Sequence, residues 1–283
     1  MGNQYSPLGA RGLMRTIYKG QGTTILDKIV IQKIKEVKEA RALTPVVKLE
    51  ESEYFDRDCY SMRSFILDPK RTGIISEFKR ASPSKGIIND KVFVEEVTQA
   101  YAKAGASALS ILTDPQFFKG SNFDVLKARP VNNIPILRKE FIVDEFQILE
   151  AKAIGADIIL LIAAILTPEE VARFAKLAKS IGLSVLMEVH NLEELEDCLC
   201  DDLDAVGVNN RNLADFSVSL DHSYNLVTQI PDKFLKISES GISNPKTINE
   251  LKKAGFNGFL IGENFMKEQN PGKAIAEFVA ELK

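Results

Sequence analysis

The sequence predicts an α/β fold, a (β/α)8 TIM barrel with an N-terminal helical extension. Three observations carry this. From Gly73 onward, eight short apolar runs alternate with polar loops and segments of helical period, the pattern of a parallel sheet covered by helices. Eight is also the number of strands that closes such a sheet on itself. Finally, similar phrases introduce several of the runs: Lys103-Ala-Gly-Ala106, Ala153-Ile-Gly-Ala-Asp157 and Lys253-Ala-Gly-Phe256. Each puts a glycine where a helix C-cap would hand the chain to the next strand. An open doubly wound sheet is the structural alternative, but it usually has fewer strands, and no G-x-G-x-x-G follows a strand here.

The chain begins with a stretch, Met1 to Gly22, that lacks acidic residues and carries Arg11, Arg15 and Lys19. Residues 1–23 are expected to form a disordered or extra N-terminal tail. A transit-like segment is the alternative; there is no apolar run of the kind a secretion signal needs, and Met14 offers a second start. Thr24 to Ala40 reads as an amphipathic helix, because Ile25, Leu26, Ile29, Val30, Ile34 and Val37 recur at helical spacing. Thr24 with Asp27 supplies a capping start. A second helix is expected over Ser52 to Ser64. The strands are expected at Gly73–Lys79, Ala108–Leu112, Ile134–Lys139, Asp157–Ala163, Leu183–Val189, Ala205–Asn209, Phe234–Glu239 and Gly258–Ile261. A helix from about Gly272 to Leu282 ends the chain. Residues 24–283 contain no linker or low-complexity block and read as a single barrel domain that includes the N-terminal helices.

Composition narrows the function. A net charge of -3 with the two signs interspersed argues against nucleic acid or a membrane surface as the main partner. No apolar run approaches the roughly 18 residues that span a bilayer. Cys59, Cys198 and Cys200 are an odd number without metal-type spacing, which suggests reduced thiols in a cytoplasmic protein. The expected partner is a small molecule. No apolar stripe stands out as an interface, and the chain is expected to act as a monomer.

In a barrel of this kind, functional groups lie at the C-terminal ends of the strands. The first strand ends in Glu77 and Lys79, two apart and therefore on the same side. A carboxylate and an ammonium there are costly to bury without a purpose. The third strand ends in Lys139, the fifth in Glu188, and the sixth in Asn209 with Arg211 after it. The seventh ends in Glu239-Ser240-Gly241 and the eighth leads into Gly262-Glu263. Any one of these could be a solvated loop residue; charges from at least five strand ends point to a site. Parity puts Ile75 below Glu77, Leu137 below Lys139 and Leu186 below Glu188, as a filled barrel with a site on top requires.

Ser240-Gly241 and Gly262-Glu263 follow the seventh and eighth strands, where backbone N–H groups commonly hold a phosphate. The Glu263 side chain would repel phosphate, so only its N–H would help. Phe118 and Phe141, in the loops after the second and third strands, are placed to wall an aromatic substrate. His190 and His222 are the only histidines, too few for a metal-dependent sugar-phosphate epimerase. His190 reads as a loop or helix-start residue, and no Ser-His-Asp or Cys-His arrangement is evident.

Six segments in order resemble the indole-3-glycerol phosphate synthase family: Ile75-Ser-Glu-Phe-Lys-Arg-Ala-Ser-Pro-Ser-Lys-Gly86, Ile136–Val143, Leu186–His190, Val208–Leu213, Ser238–Ile242 and Leu260–Asn264. The similarity runs from about Thr24 to the C-terminus, and its first motif is close to diagnostic. The resemblance implies conversion of 1-(2-carboxyphenylamino)-1-deoxyribulose 5-phosphate to indole-3-glycerol phosphate, with release of carbon dioxide and water. This is a step of tryptophan biosynthesis that uses no metal or organic cofactor.

The resemblance also implies roles. Lys139 is the general acid of ring closure and Glu188 the general base of the last proton removal. Lys79 pairs with the substrate carboxylate and serves as a second acid. Glu77, Asn209 and Glu239 position the lysines and the substrate hydroxyls. Ser82, Arg211, Ser240, Gly241, Gly262 and Glu263 line the site, the last four near phosphate. Phe118, Phe141, Leu160 and Leu213 hold the anthranilate ring. Glu140 stands where Asp is frequent in the family, and Asn264 where Ser is frequent; neither is expected to do the chemistry. The alternatives are a Schiff-base aldolase using Lys79 or Lys139, a phosphoribosylanthranilate isomerase, and a barrel that only binds a sugar phosphate. The isomerase would be expected to use a Cys and an Asp, and none of the cysteines is at a strand end.

Overall fold

The computed structural model describes residues 24–212 and 216–282. The expected tail at 1–23 and the candidate ring contact Leu213 lie outside the described residues. Eight strands form the barrel: β1 (Ile74–Phe78), β2 (Ala108–Leu112), β3 (Ile136–Lys139), β4 (Ile158–Ile162), β5 (Ser184–Val189), β6 (Ala205–Asn209), β7 (Leu235–Glu239) and β8 (Gly258–Ile261). Neighbours pair in parallel in chain order, and β8 closes on β1. The expected barrel is therefore present. β1, β2, β4 and β8 are buried along their whole length, which is why they read as continuous apolar runs rather than alternating ones. Gly105, Gly155 and Gly255 take φ of 100°, 92° and 113°, the left-handed conformation that ends a helix at little cost only for glycine.

The inward side chains stack in layers drawn from alternate strands. Ile75, Leu137, Leu186 and Ile237, on β1, β3, β5 and β7, are fully buried. Two residues further along the same strands come Glu77, Lys139, Glu188 and Glu239. The uppermost layer from the odd strands is thus charged, where a generic barrel would carry aliphatic residues.

The N-terminal extension consists of α1 (Ile25–Leu43), α2 (Val46–Glu50) and α3 (Met62–Ile66). α1 starts with the expected capping box, in which Thr24 accepts from the Asp27 N–H and the Asp27 carboxylate accepts from the Thr24 N–H. The helix expected over Ser52–Ser64 does not form. That stretch is turns and extended chain ending in α3, whose first turn is capped by Ser61 Oγ accepting from Ser64 N. The reason is a competing partner. Asp157, fully buried just ahead of β4, accepts from Tyr60 N at 2.8 Å and Arg57 Nη2 at 2.7 Å. The same carboxylate accepts from Arg129 Nη1 at 2.7 Å and from Ile136 N at 2.8 Å. It fastens the extension to the start of β3, at the end of the barrel away from the charged layer. Met62 and Ile66 are buried nearby, Ile66 against Gly258. No described helix is long and apolar enough to cross a membrane.

Asp157→Ala leaves the buried Arg129 guanidinium without its carboxylate and is expected to lower stability by about 3–5 kcal/mol. Chemical denaturation measures this, and kcat of the folded protein should be unchanged because the residue lies at the opposite end from the charged layer.

Candidate active site

The charged layer is an ion-pair network. Lys139 Nζ donates to Glu239 Oε2 at 2.6 Å and to Glu188 Oε2 at 3.0 Å. Asn209 Nδ2, at the end of β6, donates to Glu188 Oε1 at 2.9 Å, and the Arg211 N–H donates back to Asn209 Oδ1 at 3.0 Å. That second bond fixes which way the Asn209 amide points. Just past the end of β1, Lys79 Nζ lies 2.9 Å from Glu77 Oε1. The loop after Lys79 is held by Arg80, whose two Nη atoms bind Asp124 at 2.5 Å and 2.8 Å. Ala81–Ser82 then pairs antiparallel with Gly86–Ile87.

This geometry separates the protonation behaviour of the carboxylates. Burial opposes ionisation of Glu188, but the charges of Lys139 and His190 and the Asn209 hydrogen bond hold its pKa down to about 2. Burial pushes Glu239 up to about 7; Lys139 works against this, and the neighbouring Glu188 charge adds to it. For Lys139, burial favours the neutral amine, yet Glu188, Glu239 and Glu77 outweigh it and hold the ammonium well above the ordinary lysine range. At neutral pH the mouth therefore holds a fixed carboxylate, a fixed ammonium and one carboxyl near its titration midpoint. His190 lies just before the helix Leu192–Cys198, as its sequence position suggested, with Nδ1 3.2 Å from Glu194 Oε2 and Nε2 3.6 Å from Glu188 Oε1.

Two glycines make room for this layer. A methyl group on Gly207, in the middle of β6, would collide with the Glu239 carboxylate. A Cβ on Gly262 would lie 2.5 Å from Glu77 Oε1 and 2.9 Å from Glu77 Cβ.

Two compartments open above the charges. The first is walled by Phe118 and Phe141, with ring centroids 5.9 Å apart, together with Leu160, Ile162 and Ser82. Ile25, Leu26 and Ile29 of α1 cover it from above. The second is lined by Ser240, Gly241, Gly262, Glu263, Arg211 and Lys85. Ser240 and Gly241 both take left-handed φ, 69° and 77°, which turns the backbone sharply at the end of β7. The Glu263 carboxylate lies between Lys85 Nζ at 3.6 Å and Arg211 Nη2 at 3.5 Å. Glu77 and Lys79 border both compartments, so one ligand can span an apolar end and an anionic end across the charged layer.

The family model of indole-3-glycerol phosphate synthase matches residues 26–278. The chain belongs to the indole-3-glycerol phosphate synthase family. The indole-3-glycerol phosphate synthase of Bacteroides thetaiotaomicron is 44% identical over 255 residues, covering 90% of this chain and 97% of the relative. That of Laribacter hongkongensis is 41% identical over 260 residues, covering 90% and 99%. Among solved structures, a mutant tryptophan synthase alpha-subunit from Pyrococcus furiosus is similar with a TM-score of 0.57 at 16% identity, covering 75% of this chain and 98% of that one. A thiamine phosphate pyrophosphorylase from Pyrococcus furiosus has a TM-score of 0.53 at 18% identity, covering 74% and 95%. Likeness at these identities is one of fold.

In this member of the indole-3-glycerol phosphate synthase family, the structure brings together every described residue singled out in the sequence. Glu77, Lys79, Ser82, Phe118, Lys139, Phe141, Leu160, Glu188, Asn209, Arg211, Glu239, Ser240 and Glu263 line the first compartment, and Gly241 and Gly262 line the second. The sequence reading missed the α1 residues Ile25, Leu26 and Ile29, the space-making Gly207, and Lys33. Lys33 left a signal: it stands four residues after Ile29 and four before Val37, a cation inside the apolar stripe of α1.

Gly207→Ala is expected to displace the Glu239 carboxylate from Lys139 and to lower kcat by about a hundredfold. Steady-state kinetics on the variant, with a thermal melt to show that it folds, checks this.

Proposed function

We propose that Lys139 and Glu188 are the acid–base pair of an indole-3-glycerol phosphate synthase, a carboxy-lyase of tryptophan biosynthesis. One observation carries the reading: a buried ammonium hydrogen-bonded to two buried carboxylates, between a compartment walled by aromatic rings and a left-handed backbone turn. In this reading the anthranilate ring packs against the Phe118 and Phe141 rings and Leu160, the set that the resemblance implies together with Leu213. The phosphate lies at Ser240, Gly241, Gly262 and the Glu263 N–H, with Arg211 beside it. Lys79 holds the substrate carboxylate. Glu77, Asn209 and Glu239 orient the lysines and the sugar hydroxyls, and Ser82 lines the loop over them.

The ring carbon bearing the carboxylate attacks the ketone carbon, and Lys139 protonates the ketone oxygen, so that a hydroxyl forms as the new carbon–carbon bond closes the ring. The carboxylate then leaves as carbon dioxide, and its bonding electrons return to the ring. The hydroxyl departs as water after taking a proton from an ammonium, Lys79 in this scheme. Glu188 removes the proton whose loss forms the last double bond. At neutral pH Glu188 is in the ionised form a base needs and Lys139 in the charged form a donor needs. The partners that hold them so also weaken the basicity of the first and the acidity of the second, so the reaction needs substrate to loosen the pair. The charge on Lys139 weighs against an aldolase, which needs a neutral nucleophilic amine. The isomerase reading loses its acid, since Cys59, Cys198 and Cys200 border neither compartment. The proposed enzyme is a cytoplasmic monomer acting on a small phosphorylated substrate, with no nucleic acid, metal or organic cofactor. Residues 24–283 work as one barrel domain.

Turnover of 1-(2-carboxyphenylamino)-1-deoxyribulose 5-phosphate should appear as rising indole fluorescence, over a protein that contains no tryptophan. Lys139→Ala and Glu188→Gln should each suppress it by about 10²–10⁴-fold; full activity in either folded variant would sink the assignment of roles.

The pH dependence follows from Glu239. Below its pKa of about 7 the carboxyl is protonated and Lys139 loses the charge of its nearer partner; above it the pair is complete. kcat/KM, which reports on the free enzyme, is expected to rise through an inflection near pH 7. In Glu239→Gln that inflection should vanish, with activity lowered at every pH.

A further inference from the structure

We infer that Lys33, on the N-terminal helix, is a positioning residue that holds the packed Phe118 and Phe141 rings in place as the wall of the apolar compartment. The inference rests on the reading that Phe118 and Phe141 hold the substrate ring. Lys33 is 3% exposed. Its Nζ lies 2.7 Å from Glu36 Oε2, 2.9 Å from Asp114 Oδ2 and 3.0 Å from Glu140 Oε1. Two of these carboxylates each hold the backbone beside one of the two rings. Asp114 Oδ1 accepts from Phe117 N at 2.7 Å and caps the turn Pro115–Phe118, which ends in one ring. Glu140 Oε1 accepts from Phe141 N at 2.8 Å, at the residue that carries the other ring, and Glu140 Oε2 accepts from Thr113 Oγ1 at 2.8 Å. Glu140 also follows Lys139 directly.

A single ammonium thus ties the loop after β2 to the loop after β3, and ties both to the helix whose Ile25, Leu26 and Ile29 form the roof. Without that charge, Asp114, Glu140 and Glu36 would face one another as like charges, two of them buried, and whether they take up a proton or move apart, the tie between the two loops is lost. The phosphate compartment, built from the ends of β7 and β8, makes no contact with this cluster. The effect of losing Lys33 should therefore be confined to the ring end of the substrate.

The test is Lys33→Met, which keeps much of the volume and removes the charge, measured in the full chain beside Phe118→Ala. The readouts are kcat, KM and the inhibition constant of inorganic phosphate. The expected result for Lys33→Met is a KM about tenfold higher with kcat little changed, the mark of lost uniform binding, and an unchanged phosphate inhibition constant. Should that variant fail to fold, Lys33→Met/Asp114→Asn/Glu140→Gln relieves the repulsion while still removing the ammonium that ties the two loops, and should show a smaller rise, about threefold, in KM alone. The inference is overturned if the folded variant keeps the wild-type KM, or if KM and the phosphate constant rise in parallel. Were Phe118→Ala itself to keep the wild-type KM, the reading that these rings hold the substrate would be at fault instead.

Discussion

The mouth of the barrel is organised around one ammonium shared by two buried carboxylates. Glu188 and Glu239 are 4% and 2% exposed, and two like charges cannot both be held there without a cation between them. Lys139 supplies it, and the rest of the site follows from accommodating that triplet. Asn209 occupies the remaining oxygen of Glu188, Gly207 vacates the volume that Glu239 fills, and Gly262 does the same for Glu77. The second oxygen of Glu239 has no hydrogen-bond partner among the described residues. A buried acceptor of this kind is destabilising, and it is the oxygen that occupies the space left open by Gly207.

Four residues of the charged mouth are also part of the barrel core. Glu77, Lys139, Glu188 and Glu239 complete the alternate-strand stacking that begins with Ile75, Leu137, Leu186 and Ile237. Aliphatic residues in that top layer would pack without desolvating any charge, so the chemistry is held at the expense of stability. Register matters more here than in an ordinary core layer. A one-residue slip in any odd strand would turn its ionisable group toward the surrounding helices.

Much of this was legible in the sequence because a barrel converts strand ends into a list of neighbours. Apolar runs located the strands to within two residues, and the polar residues at the ends of β1, β3, β5, β6 and β7 were enough to name the network. What failed was local reading where a distant group decides the outcome. Ser52 to Ser64 has a plausible helical composition, yet Asp157, about a hundred residues away, takes the Tyr60 N–H and the Arg57 side chain. Gly207 looks like any strand glycine until the carboxylate facing it is known. α1 was recognised as a helix from its period, but period alone does not say which surface a helix covers. Only the cation within its apolar stripe distinguished a roof over charged groups from ordinary packing.

Lys33 also bears on the order in which the molecule can be assembled. It is synthesised before either of the barrel carboxylates that neutralise it, Asp114 and Glu140, and these come together only when β2 and β3 have paired. Until then Lys33 has only Glu36 of its own helix as a partner, and burying that pair against an unformed sheet would cost desolvation without the two carboxylates that compensate it. The full set of partners for Lys33 therefore exists only once β2 and β3 lie side by side, which couples the docking of α1 to the pairing of two strands distant from it in sequence.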